Sequence, residues 1–136
     1  APGAAPAENV TGTGETVLLV EDDSSVRELG HHVLTTLNYH VLVATNGIEA
    51  LERFQKNPGI AVVVTDVVMP ELGGAELARR IRALSPAVRV LFTSGYTFDA
   101  LGQTDLLGPN VAFLPKPYGI EQLGVAVRDL LKAPQQ

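Results

Sequence analysis

The sequence contains no cysteine and no tryptophan, and a single methionine. The missing cysteines exclude a disulfide scaffold, a thiolate zinc site and cysteine catalysis. Nothing then requires an oxidising compartment, and a cytoplasmic setting is expected. Runs of Lys or Arg are also missing: 10 basic residues stand against 15 acidic ones, for a formal net charge of −5. Phosphate backbones are gripped by clustered positive charge, so nucleic acid is not an expected partner. Long apolar stretches are absent as well. The longest, Val17 to Val20 and Ile60 to Val64, fall far short of the roughly 20 residues of a spanning helix. No contact with a membrane is expected from this domain. The start has neither an initiator Met nor a charged segment leading into an apolar core, so it does not read as a signal peptide. The chain is expected to be cut from something longer.

What is present is a chain of 136 residues, 46% of them apolar, enough to bury one real core. Residues 1–14 hold four Ala, two Pro and three Gly without apolar periodicity. That composition reads as a flexible tether, followed by one domain over 15–132 and a short tail at 133–136. Within the domain, apolar strands alternate with helical patterns. Val17 to Val20 is a strand, and Val26, Leu29, Val33, Leu34 and Leu37 mark a helix that Asp23 or Ser24 is placed to cap. Val41 to Ala44 is a second strand, followed by a helix on Ile48, Leu51 and Phe54 that closes near Asn57-Pro58-Gly59. Ile60 to Val64 reads as a strand buried on both faces. Leu77, Ile81 and Leu84 define a third helix, and Val88 to Phe92 a fourth strand. A weakly patterned helix is expected over Thr97 to Leu107, then a strand over Val111 to Leu114. A last helix carries Ile120, Leu123, Val127, Leu130 and Leu131. Five strands alternating with five helices predict an α/β fold, a doubly wound parallel sheet with helices on both faces. Right-handed crossovers make the flavodoxin-like order 2-1-3-4-5 the economical one.

Ligands of such sheets bind beyond the carboxyl ends of the strands. There the sequence offers Glu21-Asp22-Asp23 after the first strand, Asp66 after the third, Ser94-Gly95 after the fourth and Lys116-Pro117 after the fifth. Order 2-1-3 makes the first and third strands neighbours, so Glu21, Asp22 and Asp66 converge. Like charges this close repel unless a cation neutralises them, and a hard divalent ion such as Mg²⁺ suits carboxylate, water and phosphate oxygens. Lys116 adds a fixed ammonium and Ser94 a hydroxyl. The set fits a transferring phosphoryl group gathered around a carboxylate nucleophile. Gly73-Gly74 is expected to serve turn geometry with φ > 0 at one or both positions. His31, His32 and His40 show no metal-ligand spacing and are expected to be exposed.

Four motifs in order, Val17-Leu-Leu-Val-Glu-Asp-Asp23, Val64-Thr-Asp-Val-Val-Met-Pro70 with Gly73-Gly74, Phe92-Thr-Ser-Gly-Tyr96 and Phe113-Leu-Pro-Lys-Pro-Tyr118, resemble the receiver domain of two-component response regulators. The resemblance runs from about Glu15 to Leu131. It implies that Asp66 is the phosphoacceptor, taking its phosphoryl group from the phospho-His of a histidine kinase. It implies Mg²⁺, or Mn²⁺, bound by Asp22, Asp66, the backbone carbonyl of Val68 and, through water, Glu21. Lys116 and Ser94 would hold phosphoryl oxygens. Ser94 and Phe113 would act as the switch that alters the face made of the fourth helix, fifth strand and fifth helix. Three departures stand out. Glu21 replaces the Asp that many members carry, Phe113 lacks a hydroxyl, and Val68 is apolar where many relatives are polar. With Tyr96, Val68 is expected to modulate the phosphate lifetime.

The Ala/Pro/Gly stretch before the first strand and the stop after the last helix are what the carboxyl-terminal receiver of a hybrid sensor histidine kinase would look like. Its partners would be a kinase domain in cis, a histidine phosphotransfer protein, or both, and a weak dimer is left open. Any enzymatic activity within the chain would be limited to phosphorylation and dephosphorylation of its own Asp66. Two other readings stay open on the residues alone: a receiver-like interaction module that is never phosphorylated, and a flavodoxin-like electron carrier. Glu-Asp-Asp after the first strand, where a flavin phosphate loop needs free N–H donors, disfavours the carrier.

Overall fold

Thr16–Val20 forms β1 in the computed structural model, which describes residues 12–67, 72–94, 110–115 and 118–132. The chain continues through α1 (Ser24–Thr36), β2 (His40–Ala44), α2 (Gly47–Lys56), β3 (Ile60–Asp66), α3 (Gly74–Leu84), β4 (Arg89–Ser94), β5 (Val111–Pro115) and α4 (Ile120–Lys132). The strands pair in parallel in the order β2-β1-β3-β4-β5, as the alternating pattern predicts. The helix expected over Thr97 to Leu107 lies outside the described residues.

Alternate residues of each inner strand enter opposite layers. Val17 and Leu19 of β1 pack with Val33 and Leu34 of α1 and with Leu123, Val127 and Leu130 of α4. Leu18 and Val20 pack on the other side with Ala50 and Phe54 of α2 and Leu77 and Ile81 of α3. A strand buried on both faces has no room for polar side chains, which is why Val62, Val63 and Val64 of β3 run without interruption. Each such side chain contributes about 1.5–3 kcal/mol by leaving water.

The helices are fixed at their amino ends. Asp23 caps α1, accepting from the Val26 N–H at 3.1 Å. Asn46 caps α2 by accepting from the Glu49 N–H at 2.8 Å, and the Glu49 carboxylate reaches back to the Thr45 N–H at 2.6 Å. This is a close variant of the capping box, and the Asn-x-x-Glu spacing of 46–49 is its signature. The Thr45 N–H, with Thr45 Oγ1 and Arg53 adding to it, holds the Glu49 carboxyl below the usual carboxylate range against a partly opposing burial.

Three apolar positions differ from the periodic expectation. Leu29, Ile48 and Leu84 are exposed, at 47%, 47% and 56% of their surface. In α1 and α2 the cause is a glycine on the face that meets its neighbours. Gly30 lies against Leu19, where a Cβ would come within 2.9 Å of the leucine methyl carbon, and Gly47 lies against the backbone of Leu72. A small residue lets the helix approach closely there, and the larger side chain one position along is turned outward. Leu84 stands at the last residue of α3, beyond the turn that Leu77 and Ile81 bury. The three histidines are exposed, as expected.

Gly73 and Gly74 also differ from expectation. Gly73 has φ −72° as the N-cap of α3, and among the described residues Gly14 is the glycine with positive φ. The requirement at Gly74 is space: a Cβ there would collide with the Asp66 carbonyl oxygen and stand 3.0 Å from its carbon. Gly74→Ala is therefore expected to destabilise the fold by about 1–3 kcal/mol through backbone displacement. Gly59→Ala, which meets nothing within 4 Å, is expected to stay within about 1 kcal/mol of the parent or gain slightly. Urea unfolding midpoints of the two variants check this pair. The Glu49 cap gives a pH signature. Because its folded-state value is lowered, its stabilisation is present at neutral pH and is lost as the pH falls through that value. The stability gap between the parent and Glu49→Gln, measured by urea unfolding, is expected at pH 7 and should close under acid.

Candidate functional site

The site begins where the buried strands run out of apolar residues. β1 ends at Val20, and Glu21 follows with its N–H donating to the Ala44 carbonyl at the end of β2. Glu21 is only 2% exposed. Its carboxylate accepts from the Asp23 N–H at 3.1 Å, and its carbonyl accepts from the Arg27 guanidinium at 2.9 Å. The turn between β1 and α1 is thus tied down from three sides, with Asp22 exposed at its tip.

β3 delivers Asp66 beside that turn because β1 and β3 are neighbours, with Val20 in register with Thr65. Asp66 is half-buried and is in register with Thr93 of β4. The buried Thr65 hydroxyl donates to the Asp66 carbonyl at 3.0 Å, and the Val67 N–H donates to the Thr93 carbonyl at 3.2 Å. On the far side the Gly74 N–H donates to the Val67 carbonyl at 2.8 Å, drawing the start of α3 against the strand end.

Carboxylate oxygens of Glu21, Asp22 and Asp66 lie within 4.8 Å of one another. Three like charges at that spacing repel, and a bound cation would relieve the repulsion. The donor set is entirely oxygen and carboxylate-rich, which fits a hard ion such as Mg²⁺ or Mn²⁺ and offers no soft ligand to a thiophilic metal.

The other strand ends approach the same edge. Ser94 closes β4 and is in register with Pro115, the last residue of β5 and the residue before Lys116. Phe113, half-buried in β5, sets its ring 5.9 Å from that of Phe92 at a tilt of 38°, in a cluster with Val67, Ala78 and Val90. Val68, Tyr96 and Lys116 lie outside the described residues. Sequence reasoning alone did not single out Arg27, Thr65 or the spatial role of Gly74. A polar residue at the end of an apolar strand, as at Thr65, and a basic residue one turn into the helix that follows the acidic turn, as at Arg27, are the signals that could have found the first two.

The comparisons with known proteins agree with this geometry. A family model for the response regulator receiver domain matches residues 17–128. The chain is 41% identical over 118 residues to the sensor kinase CckA of Brucella abortus, a match that covers 86% of this chain and 12% of CckA. It is 34% identical over 117 residues to the response regulator receiver protein CpdR of the same organism, covering 86% of this chain and 97% of CpdR. Among solved structures, the receiver domain of the hybrid histidine kinase CckA aligns with a TM-score of 0.74 at 33% identity, over 86% of this chain and 99% of that one. The chemotaxis protein CheY4 of Vibrio cholerae aligns at 0.79 and 28% identity, over 86% and 98%. With five parallel strands in the receiver order and an acidic cluster at their carboxyl ends, this chain belongs to the response regulator receiver domain family.

Proposed function

We propose that the chain is a phosphoacceptor receiver in which Asp66 takes a phosphoryl group from the phospho-His of a histidine kinase. The convergence of Glu21, Asp22 and Asp66 within 4.8 Å carries this reading. An Asp66 oxygen attacks phosphorus in line, a P–O bond forms as the P–N bond to the donor imidazole breaks, and the imidazole leaves with the electron pair and takes up a proton. The product on Asp66 is an acyl phosphate. Mg²⁺ or Mn²⁺, held by Asp22, Asp66, the Val68 carbonyl and, through water, Glu21, would neutralise the oxygens of the arriving group. Glu21, buried and tied to the Asp23 N–H, supports Asp22 more than it meets the reactants.

Lys116 supplies a positive charge for Asp66 and then for a phosphoryl oxygen, and Ser94 donates its hydroxyl to another. The new charge-assisted bonds draw the loop after β4 inward, and Phe113 turns into the space that is vacated. With no hydroxyl, Phe113 acts by packing alone. Val68 and Tyr96 act in this reading as modulators of how readily water reaches the acyl phosphate.

The 41% identity to a sensor kinase supports a place as the carboxyl-terminal receiver of a hybrid histidine kinase. In that setting the donor is a kinase domain in cis, and a histidine phosphotransfer protein is the next acceptor. The Ala/Pro/Gly-rich residues before the domain are then its linker, and the setting is cytoplasmic. No helix among the described residues is long and apolar enough to cross a membrane.

Incubation with acetyl phosphate and Mg²⁺, read by intact mass, is expected to give a single phosphoryl adduct that a chelator prevents and that Asp66→Asn abolishes. An adduct of equal extent on Asp66→Asn would show that Asp66 is not the acceptor. No adduct under any condition would favour an interaction module that is never phosphorylated. Lys116→Ala is expected to retain the adduct while losing the spectral changes that accompany it at Phe113, measured by NMR.

A further inference from the structure

The residues just before β1 are not free of the domain. The Gly12 N–H donates to the Leu37 carbonyl at 2.6 Å, the Gly14 N–H to the Asn38 carbonyl at 2.9 Å, and the His40 N–H to the Glu15 carbonyl at 2.9 Å. The Asn38 side-chain amide donates to the Gly12 carbonyl at 3.0 Å. Together these bonds extend the pairing of β1 and β2 backward around the corner between α1 and β2. Two glycines permit it for different reasons. Gly14 takes φ +89°, and Gly12 is buried against Tyr39, where a Cβ would stand 2.6 Å from one ring carbon and 2.8 Å from another. Asn38, the receiving corner, itself adopts φ 72°, a conformation that Asn tolerates better than most residues.

Tyr39 continues the chain of contact. It is 5% exposed and lies in the same apolar cluster as Val127 and Leu130 of α4. Arg128, on that helix, is itself 9% exposed. Burial pushes the Tyr39 phenol up; the charge of Glu15 pushes it further and that of Arg128 opposes, so both charges act on one hydroxyl.

We propose that Gly12–Glu15 is a strap that fastens the entering chain to the corner between α1 and β2 and, through Tyr39 packed with Val127 and Leu130, links it to α4. Gly12–Glu15 is thereby held at the amino edge of the sheet. Asp66 stands at the opposite, carboxyl edge, as the last residue of β3.

Amide hydrogen exchange on the ¹⁵N-labelled 136-residue chain tests it. The Gly12 and Gly14 amides are expected to exchange at least about tenfold more slowly than in an unstructured peptide, the effect of one hydrogen bond of typical strength. Asn38→Gly, which keeps the positive φ and removes the side-chain donor, should return most of that protection while leaving the Leu18 and Val63 amides unchanged. Leu130→Ala, which removes packing beside Tyr39, should loosen the same two amides. Free exchange of Gly12 and Gly14 in the parent, or loss of their protection only in step with the core amides, would overturn the strap. Unchanged strap protection in Leu130→Ala, with the Leu18 and Val63 amides still protected, would overturn its link to α4.

Discussion

Everything at the candidate site depends on β1 and β3 lying side by side in the middle of a sheet that is covered on both faces. Val17 to Val20 and Val62 to Val64 are buried almost completely, alternating between the two helical layers. Val17 to Val20 and Ile60 to Val64 carry no polar side chain, and the acidic residues that follow them fall at the carboxyl edge. Because the strands are neighbours, Glu21 and Asp22 arrive beside Asp66 although the chain between them makes two helices and a strand. Hydrophobic burial sets the position, and the electrostatic problem it creates is what makes the site chemically useful.

The convergence is held by short-range constraints that act on backbone. The Arg27 guanidinium and the Asp23 N–H fix both ends of Glu21, while the Thr65 hydroxyl and the Gly74 approach fix the carbonyl side of Asp66. A platform arranged this way needs little reorganisation when charge arrives, which is the condition under which fixed dipoles and cations are most effective. The proposed phosphoryl chemistry uses this edge, where the clustered donors are all carboxylate oxygens.

The strand pattern and the acidic residues were legible because they rest on hydrophobic periodicity and on topology, which a single sequence carries. The sheet order followed from the alternation of elements, and with it the neighbourhood of Asp22 and Asp66. What stayed hidden depends on how closely backbones approach. Leu29 and Ile48 satisfy helical spacing yet face outward, because Gly30 and Gly47 decide which side of the helix meets the rest of the fold. Gly74 was visible as an unusual glycine, but its reason is the Asp66 carbonyl above it and not a positive φ. Gly12 and Gly14 carry the composition of a tether while their amides bond the corner after α1. In each case a glycine's composition signal is the same whether it loosens the chain or lets two segments touch. The Asn46–Glu49 cap was legible in principle, since its spacing is local, and it was outweighed by the apolar pattern around it.

In the proposed function Glu21, Asp22 and Asp66 form one cation site rather than three separate carboxylates. The most direct measurement is paramagnetic broadening of amide resonances on titration with Mn²⁺, in the parent chain and in Asp22→Asn. Broadening is expected to centre on Glu21–Asp23 and Thr65–Val67 together, with their neighbours Thr93 and Gly74, and to be reversed by Mg²⁺ or a chelator and strongly weakened in the variant. Broadening that is scattered over exposed acidic residues, or equal in parent and variant, would contradict it.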